Sequence, residues 1–280
     1  MKYLVAGATG YLGGCIVKEL KSLSYATTVL VRNSDKFNKM GLQADEVIQA
    51  EIIERSALDG CCKHIDTVIS TVGITRQKDG LSYMDVDYQA NIHLLEEANA
   101  SGVRKFIYVS VLNGDKMRHL QICRAKEKFV EALKASGMEY CVIRPNGFFS
   151  DMSDFYHMAK KGRVYLFGNG LLKANPIHGK DLAQVCVSAI KNNVKEIPAG
   201  GPQILTQNEI AQLAFEALDK PVKITHLPDW TRMLSLKLAK VFMSKASYGP
   251  VEFFLNVMAI DMIAPQYGTH TLKEHFLGMK

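Results

Sequence analysis

The stretch Lys2-Tyr3-Leu4-Val5-Ala6-Gly7-Ala8-Thr9-Gly10-Tyr11-Leu12-Gly13 decides the fold of this chain. Residues 2–6 form an apolar run that predicts a short buried strand, and the pattern over residues 11–23 predicts a helix. The glycines lie in the turn that joins the two elements. Residues 2–23 are therefore predicted to form a strand, a glycine-rich turn and a helix.

Three glycines in this turn have the spacing GxxGxxG. Gly7 would form the tight turn, and Gly10 would let the backbone approach a pyrophosphate. Gly13 would let the helix pack close to the strand. A turn that merely requires glycine is the alternative interpretation, but the position directly between a strand and a helix favours a dinucleotide-binding loop.

The start of the predicted helix adds to this site. Its unpaired N–H groups and partial positive charge attract phosphates. We therefore assign Thr9, Tyr11 and Leu12 to cofactor binding together with the three glycines.

The end of the second predicted strand indicates which dinucleotide binds. In NAD-binding sheets an acidic residue about 20 residues beyond the glycines usually bonds the ribose 2′-hydroxyl. Here that strand ends in Val31-Arg32-Asn33-Ser34, without a carboxylate. A guanidinium pairs with a phosphate, so Arg32 favours NADP(H) over NAD, the alternative being a surface arginine at a strand end.

Further strand-like runs recur along the first half of the chain, separated by helical patterns. They cover residues 27–32, 46–50, 67–71, 105–111 and 140–144. Near-continuous apolar strands imply burial on both faces, hence a parallel sheet with helices on either side. We predict an α/β fold: a doubly wound parallel (Rossmann) sheet over residues 1–150, with returning segments around 175–205. Residues 151–280 are predicted to form a smaller lobe, mostly helical after residue 206.

Composition narrows the class of protein. The 280 residues are 48% hydrophobic and 22% charged, typical of a globular protein, and the net charge of +6 is spread along the chain. The sequence has no basic stripe of the kind that would predict nucleic-acid binding. The six cysteines lack CxxC spacing, and the sequence begins without a signal-peptide pattern, so we expect a cytoplasmic protein without a metal site.

The chain resembles the atypical short-chain dehydrogenase/reductase superfamily over roughly residues 1–220, in the branch of NmrA-like and isoflavone-reductase-like proteins. The stretches that carry the resemblance are residues 7–13, 31–33, Val86-Asp87-Tyr88-Gln89, Tyr108-Val109-Ser110, residues 140–148, residues 176–183 and Gly200-Gly201-Pro202.

The resemblance implies further contacts with the cofactor. Glu51 and Ile52 match the stretch that lies at the adenine. The loop Thr71-Val72-Gly73 matches the one under the adenine ribose and pyrophosphate. Asn146 and Phe148 should lie beside the nicotinamide.

The resemblance also assigns the catalytic positions, and here the pattern is incomplete. Active members carry a Tyr-xxx-Lys pair on one helix face and a serine at the end of the preceding strand. Lys126 and Ser110 match the lysine and the serine, but the tyrosine position holds Ile122, which has no proton to give.

Three interpretations follow, besides that of Lys126 as a surface lysine. Lys126 itself could handle the proton in an NADPH-dependent reductase of a small or moderately apolar substrate. Another group could replace the tyrosine: His119, expected one helical turn before Ile122, or Tyr11, in the phosphate-binding loop. Alternatively, the protein binds NADP(H) without turnover, as a redox sensor, regulator or assembly factor. Sugar-nucleotide epimerase chemistry needs the missing tyrosine, so we expect none.

Residues 229–264 carry apolar residues at a spacing of three and four, flanked by Arg232, Lys237, Lys240 and Lys245. This segment could pack against its own sheet, cover an apolar substrate in a cleft under the C-terminal lobe, or form a dimer face. It could also lie on an anionic membrane surface. Both a monomer and a homodimer are compatible with the sequence.

Overall fold

A computed structural model describes residues 1–74 and 80–280, and for residues 245 and 246 the backbone alone. The chain divides into two compact units. The first unit comprises residues 1–144 and 182–197, and the second comprises residues 145–181 and 198–280.

The strands of the described residues, in chain order, are β1 (Lys2–Ala6), β2 (Ala26–Val31), β3 (Glu46–Gln49), β4 (Thr67–Ser70), β5 (Lys105–Val109), β6 (Glu139–Pro145), β7 (Val164–Phe167), β8 (Lys173–Ala174), β9 (Glu196–Ala199), β10 (Leu205–Thr206) and β11 (Ile224–Leu227). The α-helices are α1 (Tyr11–Ser22), α2 (Ser34–Lys39), α3 (Asn91–Ala100), α4 (Gln121–Ala135), α5 (Ser153–Lys160), α6 (Gly179–Ser188), α7 (Gln207–Ala217), α8 (Asp229–Phe242), α9 (Lys245–Val257) and α10 (Leu272–Leu277). A 3-10 helix (Arg55–Leu58) and a π-helix (Met84–Ala90) complete the elements.

A seven-stranded parallel sheet has the order β3-β2-β1-β4-β5-β6-β9, which confirms the predicted Rossmann-like α/β fold. Every residue of β4 and β5 is buried, as expected for strands that helices cover on both faces. The strand order reverses beside β1, which pairs with β2 on one side and with β4 on the other. The loops that follow β1 and β4 therefore lie side by side, where ligands bind in such sheets.

The core of the first unit forms where α3 and α4 pack on the sheet. The ring of Phe129, on α4, meets the ring of Tyr108, on β5, edge to face at 4.5 Å. Leu94 and Ala98, on α3, are fully buried in the same cluster. This packing fixes α4 against β5, and α4 carries the candidate catalytic lysine.

The second unit has its own core and two small sheets. β7 pairs with β11 in parallel, and β8 pairs with β10 in antiparallel orientation. Fully or almost fully buried aromatic rings join α5, α7 and α10; they are Phe155, Tyr156, Phe215 and Phe276. Among the described residues, no helix combines the length and the apolar composition needed to cross a bilayer.

Asn175 connects three separate segments of the second unit. Its side chain is fully buried, and its Nδ2 donates to the carbonyls of Gly201, at 3.1 Å, and Ala264, at 2.8 Å. Its Oδ1 accepts from the Ala264 N–H, at 2.9 Å, and from Asn146 Nδ2, at 3.0 Å. One amide therefore satisfies backbone groups that would otherwise be buried without partners.

We expect Asn175→Ala to lower the free energy of unfolding by about 3 kcal/mol, because each buried polar group left without a partner costs about 1–3 kcal/mol. Urea unfolding followed by circular dichroism measures the change. Asn169→Ala is the control: Asn169 is exposed, and its side chain accepts one hydrogen bond, from Leu171 N at 3.1 Å. Equal losses for the two variants would contradict this role for Asn175.

Candidate functional site

The glycine turn between β1 and α1 is shaped by close backbone approaches. Gly7 has a φ of +84°, in the left-handed region that favours glycine. The Gly10 N–H donates to the Gly7 carbonyl at 2.9 Å and closes the turn. A Cβ on Gly13 would overlap the Gly7 carbonyl oxygen and lie 2.9 Å from Ala8 Cα. Only glycine therefore lets α1 start so close to β1.

The N-terminus of α1 is open to an anion. Gly10 is the N-cap residue and has no side chain to accept the first N–H groups, and the first turn contains no acidic residue. Thr9 is half-buried and Tyr11 is exposed, whereas Leu12 is buried and can offer a ligand only its backbone. These features fit the phosphates of a dinucleotide.

The next predicted contacts lie at neighbouring strand ends. Arg32 directly follows β2 and is exposed. The Ala50 N–H donates to the Val31 carbonyl at 3.0 Å, which holds the end of β3 beside the end of β2. Glu51 is half-buried there, while the Ile52 side chain is buried in the core, so Ile52 can offer only its backbone. Arg32 thus lies at the carboxyl edge of the sheet.

The loop after β4 contacts the glycine turn. The Thr71 hydroxyl donates to the Ala6 carbonyl at 3.1 Å, and a Cβ on Gly7 would lie 2.6 Å from that hydroxyl oxygen. Val72 is buried, and its carbonyl accepts from Asn91 Nδ2 at 3.2 Å. The structure therefore brings the predicted residues of these two loops together.

Gly73 continues this loop to a buried ion pair. The Lys126 ammonium lies 3.0 Å from Asp87 Oδ1, and Asp87 Oδ2 accepts from the Ile74 N–H at 3.1 Å. A Cβ on Gly73 would lie 2.5 Å from Asp87 Oδ1 and 3.0 Å from Lys126 Nζ, so the absence of a side chain makes room for the pair. The Asp87 side chain is fully buried, whereas Lys126 keeps 13% of its side-chain surface exposed. The cation is thus the accessible end of the pair.

The surroundings of Lys126 favour its charged form. Burial acts to lower the pKa of Lys126, but Tyr108 and Asp87 outweigh it and raise that pKa above the ordinary value of a lysine. Burial also raises the pKa of the Tyr108 hydroxyl. Lys126 is therefore an ammonium at neutral pH and a weak acid.

Ser110, the other predicted catalytic residue, belongs to a different cluster. Its buried hydroxyl donates to Glu127 Oε1 at 2.9 Å. The same carboxylate is held by two nitrogens of Arg144, at 2.6 and 3.0 Å, and Arg144 Nε also donates to Glu196 at 2.9 Å. The serine is thus tied to a buried ion pair rather than to Lys126.

The structure does not place His119 on α4, the helix where the missing tyrosine would lie. Ile122 is nearly buried in the first turn of that helix. His119 is exposed and lies in a turn before α4, which begins at Gln121; its expected place one helical turn before Ile122 is wrong. Tyr108 has a hydroxyl close to Lys126, but its side chain is fully buried.

Asn146 and Phe148 belong to the second unit. Asn146 is buried, and its side chain is engaged with Asn175 and the Met262 carbonyl. Its Oδ1 also accepts from the Gly147 N–H at 2.7 Å. Phe148 is half-buried, and its N–H donates to Asp151 at 2.9 Å. Their assignment to the nicotinamide stays a prediction.

Sequence reasoning missed Asp87 as the partner of Lys126. Asp87 appeared in the family resemblance, but nothing in its spacing linked it to a lysine on a later helix. Sequence reasoning also missed Glu127 and Arg144, which hold Ser110. Among the described residues, no group of three or more potential ligands could hold a metal ion.

The fold and the glycine site together define a Rossmann protein that binds a nicotinamide dinucleotide. The sequence matches the NAD(P)H-binding family over residues 7–193, and the chain belongs to that family. The resemblance to the atypical short-chain dehydrogenase/reductase superfamily is confirmed, and its NmrA-like branch stays a prediction.

Two curated relatives differ in role. Photosystem II assembly factor Ycf39 of Guillardia theta is 28% identical over 258 residues, covering 85% of this chain and 82% of that protein. Divinyl chlorophyllide a 8-vinyl-reductase of Cucumis sativus is 27% identical over 299 residues, covering 96% of this chain and 71% of that protein. The structure of NADPH-dependent quinone oxidoreductase from Escherichia coli, complexed with NADPH, has a TM-score of 0.74 at 17% identity and covers 99% of both chains. This last likeness shows the fold alone.

We expect Glu127→Ala to lower the free energy of unfolding by about 3–5 kcal/mol, because it leaves the Arg144 charge with one partner fewer in a buried site. The control on the same helix is Glu131→Ala, whose carboxylate forms an exposed pair with Arg118 and should cost at most about 1 kcal/mol. Thermal and urea unfolding measure both. Similar values for the two variants would show that the Ser110 cluster is not a structural anchor.

Proposed function

We propose that this protein is an NADPH-dependent reductase of an apolar, conjugated acceptor, such as a quinone or an activated alkene. The observation that carries the proposal is the Lys126 ammonium, held by Asp87 against Gly73 and one loop away from the glycine turn. The vinyl-reductase relative supports a reduction of this class.

Different residues of the candidate site would hold different parts of the cofactor. Backbone N–H groups at the start of α1 would take the phosphates, and Arg32 would pair with the 2′-phosphate that distinguishes NADPH from NADH. Lys126 would donate hydrogen bonds on the nicotinamide side. Bound NADPH supplies a hydride, which the protein itself does not provide.

The described residues of the site offer no good proton donor, and this determines which acceptors the protein could reduce. Ile122 cannot donate a proton, the Ser110 hydroxyl is engaged with Glu127, and the raised pKa of Lys126 makes it a weak acid. A fixed cation nevertheless stabilises negative charge that develops on an acceptor oxygen. Conjugated acceptors delocalise that charge and can then take a proton from water.

Ile122 and Ser110 also favour a second function. With Ile122 in place of the acid and Ser110 in a structural cluster, the chain would bind NADP(H) without turnover and act as an assembly or regulatory factor. The relative named as a photosystem II assembly factor supports this alternative. The two functions share the cofactor site and differ in whether an acceptor is reduced.

Arg32→Ala should weaken NADPH binding about ten-fold or more and leave NADH binding unchanged, since only NADPH carries the phosphate that the guanidinium would bind. Nucleotide fluorescence titrations measure both dissociation constants. Lys36→Ala, which removes a nearby exposed cation on α2, is the control. An equal loss for both nucleotides, or no loss, would overturn the assignment of Arg32.

Wild-type protein with NADPH and a soluble benzoquinone should show steady loss of the reduced-nicotinamide absorbance. Lys126→Met should lower kcat about ten-fold or more, because the cation acts on the reacting groups. The double variant with Asp87→Asn removes both charges and so avoids leaving an unpaired buried carboxylate. Lys128→Met, an exposed lysine on the same helix, is the control and should keep full turnover.

Three results bear on the choice between the functions. Turnover that requires Lys126 but not Lys128 supports the reductase. Tight NADPH binding with no oxidation by quinone or enone acceptors favours the non-catalytic factor instead. Turnover that is equal in the wild type and the double variant would show that Lys126 has no part in the chemistry.

A further inference from the structure

Helix α8 presents large apolar side chains to solvent. They recur every three or four residues and therefore share one side of the helix. Between 46% and 80% of the surface of each is exposed. We call this set the apolar stripe; its members are Trp230, Met233, Leu234, Leu238, Val241 and Phe242.

The protein-facing side of α8 carries the polar side chains of Arg232 and Ser235 beside the half-buried Leu236 and Ala239, so most of the large apolar side chains of the helix lie on its solvent-facing side. Arg232 is buried there, bonded to Asp229 at 2.7 Å and to the Leu255 carbonyl of α9 at 3.5 Å. Ser235 is half-buried, and its hydroxyl donates to the Thr231 carbonyl at 2.8 Å. The apolar stripe is thus the face that the protein's own core does not use, and an exposed apolar face of this kind marks an interaction surface.

The charge of two lysines indicates what kind of partner covers the apolar stripe. Lys237 lies within it, three residues after Leu234 and four before Val241, and Lys240 lies along its border; both are exposed. In the part of the chain that the structure describes, neither lysine takes part in an ion pair, and the one acidic residue of α8, Asp229, is bonded to Arg232. The exposed face therefore combines apolar side chains with positive charge alone.

This combination is unfavourable for a dry protein contact. Burying Lys237 at the centre of such a contact would require an acidic partner, because an unpaired buried charge is costly. Two copies of α8 packed on each other about a two-fold axis would bring Lys237 towards its own copy. At a bilayer, by contrast, the lysine stem lies along the acyl boundary while its ammonium reaches the lipid phosphates.

We infer that α8 is an interfacial helix that lays the apolar stripe on the surface of an anionic lipid bilayer. Its 14 residues give a length of about 21 Å, too short to span a bilayer but enough to lie in the interface. Trp230 and Phe242 enter the boundary between headgroups and acyl chains, and Lys237 and Lys240 bind acidic headgroups. The inference does not depend on the reductase proposal.

The sequence supplies its own probe, because Trp230 is the single tryptophan and lies on the apolar stripe. Full-length protein is titrated with vesicles of phosphatidylcholine containing phosphatidylglycerol, and with vesicles of phosphatidylcholine alone. We expect a blue shift of the tryptophan emission and reduced quenching by acrylamide with the anionic vesicles, and a partition coefficient about ten-fold or more above that for neutral vesicles. Flotation of the protein with the same vesicles gives a second readout, and high salt should weaken both.

Two variants with matched controls separate the apolar and the electrostatic contributions. Val241→Glu should reduce the partition coefficient about ten-fold or more, whereas Val222→Glu, at an exposed valine outside α8, should leave it unchanged. Lys237→Glu should abolish the preference for anionic vesicles, and Lys223→Glu, also exposed, should keep it. All four positions are exposed, and circular dichroism checks that each variant is folded.

Three results would overturn the inference, and two of them would assign the apolar stripe to a different occupant. Equal binding to neutral and anionic vesicles would remove the role of the lysines. No emission change with any vesicle, together with a dimer that Val241→Glu converts to a monomer, would assign the apolar stripe to a second copy of the chain. An emission change produced by NADPH and a quinone but by no vesicle would make α8 a cover for the substrate.

Discussion

The close approach of Gly13 to the Gly7 carbonyl is the constraint on which the rest of the first unit depends. A side chain on Gly13 would overlap the Gly7 carbonyl, and one on Gly7 would overlap the Thr71 hydroxyl, so the two glycines allow α1 to begin after a turn of only four residues beyond β1. The strand order reverses at that same edge, so the loop carrying Thr71 and Gly73 lies beside the turn. An open helix N-terminus and the partly exposed Lys126 cation are thereby attached to the same sheet.

The fold could be predicted from the sequence because its signals are local. Apolar runs marked the strands, and the glycine spacing marked the turn at Gly7. Local patterns did not show that a π-helix covers Met84–Ala90, or that α4 begins at Gln121, two residues after His119. The pairing of Lys126 with Asp87 was also hidden, because it joins side chains from distant elements that only the packed sheet brings together.

Helix α4 serves two clusters through adjacent residues. Successive side chains on a helix point about 100° apart, so Lys126 reaches Asp87 while Glu127 reaches Ser110 and Arg144. The second cluster holds the residue after β5, Ser110, through the buried carboxylate of Glu127 and its partner Arg144. Ile122 can therefore replace an acid without loosening the helix, because neither cluster uses that position. The Ser110 hydroxyl is thus bonded to a buried carboxylate, whereas Lys126 keeps an accessible charge.

The two proposals have a chemical connection although they rest on separate observations. A site whose described residues offer a cation but no readily donated proton suits acceptors that delocalise negative charge. Such conjugated molecules are largely apolar. Apolar molecules concentrate in bilayers rather than in water. A protein held at an anionic bilayer by α8 would meet its acceptor at a far higher local concentration than one in solution, so weak binding of the acceptor would be sufficient. The same placement also suits an assembly factor that acts on membrane complexes, which is why the vesicle measurement and the turnover measurement have to be made independently.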